Sequence, residues 1–281
     1  MKINKMELQK IIIEALKVSS SFNVEYELEN RVDFLKNYLR STSQKAFILG
    51  ISGGIDSTLA GRLAQKAVEE LRADAYPAYF IAVRLPYGTQ SDEEDAQAAI
   101  DYIKPDQLLN INIKESSDAI LNAMHKASHI FSSSAQQDFI LGNIKARQRM
   151  VVQYALASSH QGLVIGTDHA SEAVMGFFTK FGDGACDVAP LTGLTKGRVR
   201  ELGLFMGVPS ALVNKKPTAD LETLAPQRLD EDVYGVTYTQ IDAFLEGKPV
   251  ADMIYEKIIT AYFQSEHKRN LPITPYSSNS S

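Results

Sequence analysis

The sequence contains a single cysteine, Cys186, no excess of positive charge and no long apolar run. One thiol excludes an internal disulfide and any zinc site with several cysteine ligands, and it suits a reducing compartment. Its 29 Lys and Arg residues are outnumbered by 34 Asp and Glu residues, which argues against nucleic acid or an anionic membrane surface as a partner. No apolar run approaches the roughly 18 residues that a membrane span needs. We therefore expect a cytoplasmic protein with no membrane or nucleic-acid partner.

Short apolar runs alternate with helical patterns along most of the 281 residues. Such strands, apolar along their whole length and separated by helices, predict an α/β fold in which a doubly wound parallel sheet carries helices on both faces. The predicted strands are residues 47–51, 78–86, 108–113 and 162–169. We expect one domain, 1–281, with extra helices at both termini. Its parts are N-terminal helices at about 5–40, an α/β core at about 45–225, a C-terminal helical part at about 230–270 and a disordered tail at about 276–281.

The segment Ser52-Gly53-Gly54-Ile55-Asp56-Ser57 joins the first predicted strand to a helical pattern. Glycines let backbone N–H groups approach phosphate oxygens, and the start of a helix favours an anion. The lysine of the usual phosphate loop is absent, and a carboxylate beside phosphates needs a cation between them. The loop therefore predicts a phosphate site in which Asp56 binds Mg²⁺. The other interpretation is a tight turn with an aspartate at the helix start.

The loop resembles that of the ATP pyrophosphatases, which split ATP between its α and β phosphates. Further segments are similar to the ammonia-dependent NAD synthetases, in that family's order, and this resemblance implies an adenine nucleotide α-hydrolase-like fold. The segments are LGISGGIDSTLAG (49–61), FIAVRLPYG (80–88), GNIKARQRM (142–150), GTDHASEAVMGFFTKFGDGACD (166–187), KPTADL (216–221) and EHKR (266–269).

The resemblance implies a two-step reaction with ATP as co-substrate and Mg²⁺ as cofactor. The carboxylate of nicotinic acid adenine dinucleotide (deamido-NAD) would attack the α phosphorus of ATP, and ammonia would then displace AMP to give NAD. The family has an added amidase domain when glutamine is the nitrogen donor. Because the similar segments already fill this chain, free ammonia is the expected donor. The resemblance also implies a homodimer.

Roles carry over from the family to matching positions of this sequence. Asp56 and Glu172 would bind the metal. The expected ATP contacts are Gly50, Ile51, Ser52, Gly53, Gly54, Ile55, Asp56, Ser57, Arg84, Thr167, Lys196 and Thr218. The expected deamido-NAD contacts are Arg147, Lys180, Asp187, His267 and Lys268. Position 55 departs from the pattern, since relatives usually carry Gln there, but its backbone amide still serves.

Most of these residues have an ordinary structural interpretation as well. Glu172 could be a solvated carboxylate in a first helical turn, Thr218 a helix N-cap, and Arg84 a surface arginine. Phe177, Phe178 and Phe181 are expected in the core, not against a base.

Two other functions compete with NAD synthesis. A tRNA-modifying ATP pyrophosphatase would be expected to carry a basic face, and thiolating versions tend to use cysteine pairs. A non-catalytic nucleotide-binding sensor would need the loop, but not the further set of Glu172, Lys180, Asp187 and Lys196 together with it.

Overall fold

The computed structural model describes residues 4–89, 93–218, 224 and 229–275. Within them, four parallel strands form one sheet in the order β3-β2-β1-β4. The strands are β1 (Ala46–Gly50), β2 (Tyr79–Arg84), β3 (Gln107–Asn110) and β4 (Gly162–Val164). The expected parallel α/β sheet is confirmed, and its order places the carboxyl ends of β1 and β4 side by side.

The fourth strand is shorter than predicted. After Val164 the chain keeps one isolated bridge, between Ile165 and Val188, and the Gly166 N–H bonds to the Val188 carbonyl at 2.8 Å. It therefore leaves the sheet early, and residues 166–169 become a loop beyond the sheet edge. The third strand is also shorter than predicted, because its partner β2 ends at Arg84.

Helices cover both faces of the sheet because β1 is apolar on both sides. Phe47 and Leu49 pack into a cluster with α2, α3, α4, α8 and α9, whereas Ala46 and Ile48 face a cluster that includes Ala157 of α6. The helices bounding the sheet are α2 (Val24–Ser41), α3 (Ile55–Ala73), α4 (Glu93–Ile103), α5 (Lys114–Lys126), α6 (Ser134–His160), α8 (Lys196–Phe205) and α9 (Ser210–Asn214).

The helices from the two ends of the chain pack together in a second apolar cluster. Ile12 of the N-terminal helix, Val174, and Phe244 and Ile258 from the C-terminal part are fully buried there. The elements concerned are α1 (Lys5–Ala15), α7 (Ala170–Met175), α10 (Asp230–Tyr234), α11 (Tyr238–Leu245) and α12 (Asp252–Gln264). The short helix α13 (Glu266–Arg269) follows α12 and contributes no buried residue. The expected helices at both termini are confirmed, while the tail at 276–281 lies outside the described residues.

None of the helices in the described ranges combines the length and the apolar character that crossing a membrane requires.

Candidate active site

The loop after β1 is shaped by two glycines. Gly53 has a φ of +83°, and a Cβ there would lie 2.6 Å from the backbone N of Ala96, so a side chain would meet the backbone of α4. Gly54 is the N-cap of the 19-residue helix α3, and no side chain caps that helix. The start of α3 therefore keeps its positive end available to an anion. Ser52 Oγ and Ser57 Oγ lie 3.1 Å apart and fix the turn.

A cavity of about 450 Å³ lies against this loop. That volume is within the range of roughly 300–1,000 Å³ common for small-molecule sites, and its place beyond the carboxyl ends of β1 and β4 is where α/β sheets bind ligands. Twelve of the predicted site residues line it. They are Gly50, Ile51, Ser52, Gly54, Ile55, Asp56, Ser57, Thr167, Glu172, Lys196, Thr218 and Lys268.

A charged cluster lies at the base of the cavity. Lys196 Nζ donates to Asp56 Oδ2 at 2.6 Å, and the lysine side chain is only 1% exposed. His169 Nε2 lies 3.6 Å from Asp56 Oδ1 and 3.5 Å from Glu172 Oε2. The strand–loop–helix segment at β1 thus supplies one carboxylate, and the segment after β4 supplies the other.

Lys196 is held at this place by contacts of its backbone. Its N–H donates to Ser171 Oγ at 3.0 Å and to Asp242 Oδ1 at 3.2 Å, and Ser171 Oγ donates to the same carboxylate at 2.6 Å. Thr195 is the N-cap of α8, and its side chain accepts from the N–H of Arg198. Lys196 is therefore a buried, positioned cation and not the ordinary surface lysine that its local sequence would predict.

Burial and neighbouring charges separate the pKa values of the cluster. Burial, with the negative charges of Asp56 and Asp168, raises the pKa of Glu172 well above its usual value. Burial also opposes ionisation of Asp56, yet the Lys196 ammonium and its hydrogen bond bring the pKa of Asp56 below its usual value. Burial and the Lys196 charge lower the pKa of His169 to about 3, so its imidazole is neutral.

The cluster has the donor set of a cation site. One ligand atom each from Asp56, His169 and Glu172 lie within 4.8 Å of one another. Asp56 Oδ1 is buried and has no hydrogen-bond partner within the described part of the chain. The Lys196 ammonium faces the carboxylates of both Asp56 and Glu172, and hard divalent cations prefer carboxylate oxygens. These residues therefore fit a divalent cation.

Two predicted ATP contacts have structural partners instead of a place in the cavity wall. Gly53 packs against α4, as described above. Arg84 is 5% exposed at its side chain, and its two terminal nitrogens donate to the carboxylate of Glu93 at 3.0 and 3.1 Å. The interpretation of Arg84 as a surface arginine is wrong, since its side chain is buried at the end of β2 and forms a bidentate ion pair with the exposed side chain of Glu93.

Four predicted deamido-NAD contacts also lie outside the cavity wall formed by one chain. Arg147 donates from Nε and Nη2 to the carbonyl of Lys180 at 3.3 and 3.2 Å. Lys180 Nζ donates to the carbonyl of His267. Asp187 Oδ2 accepts from the backbone N–H of Val164 at 2.7 Å, at the edge strand β4.

Several residues of the site were not predicted from the sequence. Gln153 lines the cavity and accepts from the Gly50 N–H at 2.8 Å, but its place in the middle of a long helix carries no sequence signal. Asp168 and His169 could have been found, because they are polar residues at the carboxyl end of the fourth predicted strand. Asp230 accepts from the Tyr238 hydroxyl at 3.0 Å and also lines the cavity.

The expectation that three phenylalanines lie in the core is wrong for Phe181, which is 57% exposed. Phe177 and Phe178 are partly buried and line the cavity.

Comparison with known proteins identifies the family to which this arrangement belongs. The family model for NAD synthase matches residues 27–272. The chain belongs to the NAD synthase family. Over 268 residues it is 59% identical to an NH₃-dependent NAD⁺ synthetase of Streptomyces coelicolor, covering 95% of this chain and 97% of that relative.

Solved structures of similar proteins share the fold. The crystal structure of NAD⁺ synthetase from Burkholderia pseudomallei superposes with a TM-score of 0.84 at 51% identity, covering 97% of this chain and 99% of that one. An NMN synthetase from Francisella tularensis superposes with a TM-score of 0.79 at 36% identity, covering 91% of this chain and all of that one. The α/β architecture described above is thus the architecture of this family.

Proposed function

We propose that this protein amidates deamido-NAD with free ammonia and ATP, giving NAD, AMP and pyrophosphate. It is then a ligase that forms a carbon–nitrogen bond, and residues 1–281 act as one catalytic domain. The observation that carries the proposal is one cavity that joins the open start of α3 to the cluster of Asp56, Glu172 and Lys196. The names of the relatives of known activity point to the same reaction.

In the first step, the nicotinate carboxylate oxygen forms a bond to the α phosphorus of ATP, and the bond to the β-phosphate oxygen breaks. The leaving pyrophosphate carries concentrated negative charge. The N–H groups at the start of α3 and the hydroxyls of Ser52 and Ser57 would bind it, and the Lys196 ammonium would offset its charge. The protein must also exclude water, which would hydrolyse the acyl adenylate.

In the second step, ammonia forms a bond to the activated carbonyl carbon, AMP leaves with the bonding electron pair, and one proton is released. Because ammonia itself is the donor, this step needs no amidase activity to release nitrogen from glutamine.

We propose that Mg²⁺ is the cation of the charged cluster, held by Asp56 and Glu172. When bound there, it would neutralise phosphate oxygens during the first step. Asp56 Oδ1 is buried without a hydrogen-bond partner among the described residues, which supports this assignment. The pKa of Glu172, which burial and the neighbouring charge of Asp56 raise, supports it as well.

We also propose that the protein is a cytoplasmic homodimer. Arg147, Lys180, Asp187 and His267 lie outside the cavity wall of one chain, so a dinucleotide that contacts them must extend along the surface. Val151, one turn from Arg147 on α6, is 49% exposed and offers an apolar contact for a second copy. Light scattering after size-exclusion chromatography tests the dimer, and a monomeric mass at assay concentration would contradict it.

The test of the reaction measures NAD⁺ and AMP formed from ATP, Mg²⁺ and deamido-NAD, with ammonium or glutamine as the nitrogen donor. We expect equal amounts of both products with ammonium and little of either with glutamine. Nicotinic acid mononucleotide is included as a second acceptor, because one structural relative is an NMN synthetase. If the protein prefers that acceptor, the proposed reaction type holds and the proposed substrate is wrong.

A matched pair of variants assigns the chemistry to the cluster. Asp56→Asn should abolish product formation, whereas Asp74→Asn, which removes an exposed carboxylate paired with Arg40, should not. ATP binding without release of pyrophosphate by the parent protein would favour the nucleotide sensor. AMP formation that requires tRNA would favour the tRNA-modifying enzyme.

A further inference from the structure

The C-terminal helix α13 is only four residues long, and its start has no side-chain cap. A helix of this length is not stable by itself in water, because one turn does not compensate for the cost of nucleation. Its position must therefore come from contacts with the rest of the protein.

Arg269 supplies three of these contacts from one guanidinium group. Nη1 donates to the carbonyl of Ala173 in α7 at 3.0 Å and to Ser265 Oγ at 2.7 Å. Nη2 donates to the carbonyl of Tyr262 in α12, and the guanidinium lies 4.0 Å from the centre of that residue's ring. Arg269 thus ties α13 to the ends of two other helices.

The loop of residues 176–184 contacts α13 in both directions. Lys268 Nζ donates to the carbonyls of Gly176 and Phe178 at 2.9 and 3.0 Å. In return, Lys180 Nζ donates to the carbonyl of His267. The two lysines that the family assigns to deamido-NAD are therefore held by the same short helix.

Close packing at the start of the loop fixes its distance from α12. Gly176 has a φ of +63°, and a Cβ there would lie 2.1 Å from the Cβ of Ser265. The loop cannot move toward α12, and Ser265 is the residue to which Arg269 is bonded.

We infer that Arg269 is a positioning residue for deamido-NAD, acting through Lys180 and Lys268 by holding α13 against the 176–184 loop. The inference rests on the proposed function for the identity of the ligand. Arg269 itself is not among the residues that line the cavity, as far as the described part of the chain shows. Its effect is therefore expected on the placement of the two lysines and not on ATP.

The test compares Arg269→Gln and Arg269→Lys with the parent enzyme. For Arg269→Gln we expect the KM for deamido-NAD to rise about tenfold, equivalent to about 1.4 kcal/mol, with the KM for ATP changed less than about twofold. Arg269→Lys keeps the charge, so its KM for deamido-NAD should lie between those of the parent enzyme and Arg269→Gln. A merely structural role would lower kcat through a smaller folded fraction and leave both KM values unchanged.

Arg72→Gln is the matched control. Arg72 also donates to a backbone carbonyl, that of Ala78 at 2.9 Å, and to a carboxylate, that of Asp106 at 2.8 Å, but it lies on α3 away from the 176–184 loop. We expect its KM for deamido-NAD to match the parent enzyme. If Arg269→Gln does not fold, Ser265→Ala removes only one acceptor of Arg269 and should raise the same KM by a few-fold.

Trypsin cleavage after Lys180, followed by mass spectrometry of the free protein, gives a readout that does not depend on the substrate. Arg269→Gln should be cleaved there faster than the parent protein and Arg72→Gln. If the parent enzyme makes no NAD, the proposed function fails and the cleavage rates still test the contact. If it makes NAD while Arg269→Gln keeps the parent KM and cleavage rate, the inference is overturned. It is overturned equally if both KM values rise together.

Discussion

The buried contact between Lys196 and Asp56 predicts a large loss of stability when the lysine is replaced by methionine. Methionine keeps much of the length and apolar contact of the side chain but removes the charge. The Lys196 side chain is 1% exposed and that of Asp56 20%, and Nζ lies 2.6 Å from Oδ2. The variant therefore leaves a largely buried carboxylate without its partner.

The size of the loss follows from the geometry of the pair. Two unit charges at this distance attract by about 6 kcal/mol at an effective dielectric constant of about 20, and desolvation offsets part of this. Removing one partner of a buried pair costs about 3–5 kcal/mol. Since a domain's free energy of unfolding is about 5–15 kcal/mol, Lys196→Met should still fold, with a much lower urea midpoint.

Urea unfolding followed by circular dichroism measures this difference, with Lys66→Met as the control. Lys66 Nζ lies 2.8 Å from Glu70 Oε1, nearly the same separation, but the two side chains are 38% and 37% exposed. Exposed pairs contribute about 1 kcal/mol or less. Glu70 also keeps a second partner, Lys36 Nζ at 2.8 Å, so Lys66→Met should cost little. Equal losses in the two variants would refute the argument.

The stability loss of Lys196→Met should depend on pH, because Asp56 titrates differently in the two proteins. In the parent protein the pKa of Asp56 is lowered although burial opposes it, so this stability is present above the unfolded pKa of the carboxyl and is lost as pH falls through the folded pKa. In Lys196→Met, burial without the ammonium should raise the pKa of Asp56. The loss should thus shrink from about pH 8 to about pH 5.5, and adding Asp56→Asn should recover part of it. If neither the lower pH nor the added Asp56→Asn substitution reduces the stability loss, the loss does not come from the charge of Asp56.

Two further substitutions separate structural from ligand-binding roles. Gly53→Ala forces a non-glycine residue to a φ of +83° and places its Cβ 2.6 Å from the Ala96 backbone N. The backbone conformation costs about 1–2 kcal/mol and the clash adds to it, so we expect the KM for ATP to rise at least about tenfold. An unchanged KM would mean that the loop does not hold ATP. Asp187→Ala leaves the buried Val164 N–H without its 2.7 Å acceptor and should lower the free energy of unfolding by about 1–3 kcal/mol. Asp187→Asn keeps an acceptor and should lower that free energy less. A changed KM for deamido-NAD with unchanged stability would show that Asp187 contacts the ligand only.

Local patterns were sufficient to predict the sheet and the glycine turn that joins β1 to α3. Strands β1 and β2 are apolar on both sides because helices cover both faces, and the loop glycines follow β1 directly in the chain. The predicted ends of the later strands were less accurate, since a strand ends where its partner ends. That point depends on pairing between distant segments and not on the apolar run itself.

The chemistry of the cluster could not be predicted from local sequence. Lys196 and Asp56 are 140 residues apart, and the lysine reaches the carboxylate because Ser171 and Asp242 hold its backbone from two other helices. A lysine after a helix N-cap is usually solvated, so only the family resemblance selected it. Gln153 was not selected even by the resemblance, and nothing in the surrounding sequence distinguishes it from other polar residues of α6.

A structural contact and a predicted substrate contact are compatible in one side chain. Lys268 lines the cavity, and its Nζ donates hydrogen bonds to the carbonyls of Gly176 and Phe178. An ammonium group has three donors, so one N–H remains for a phosphate or carboxylate oxygen. The bonds that hold the 176–184 loop also restrict the rotation of Nζ, which lowers the entropy cost of binding an anion there. Lys268 can therefore bind the loop first and the dinucleotide second, without exchanging one for the other.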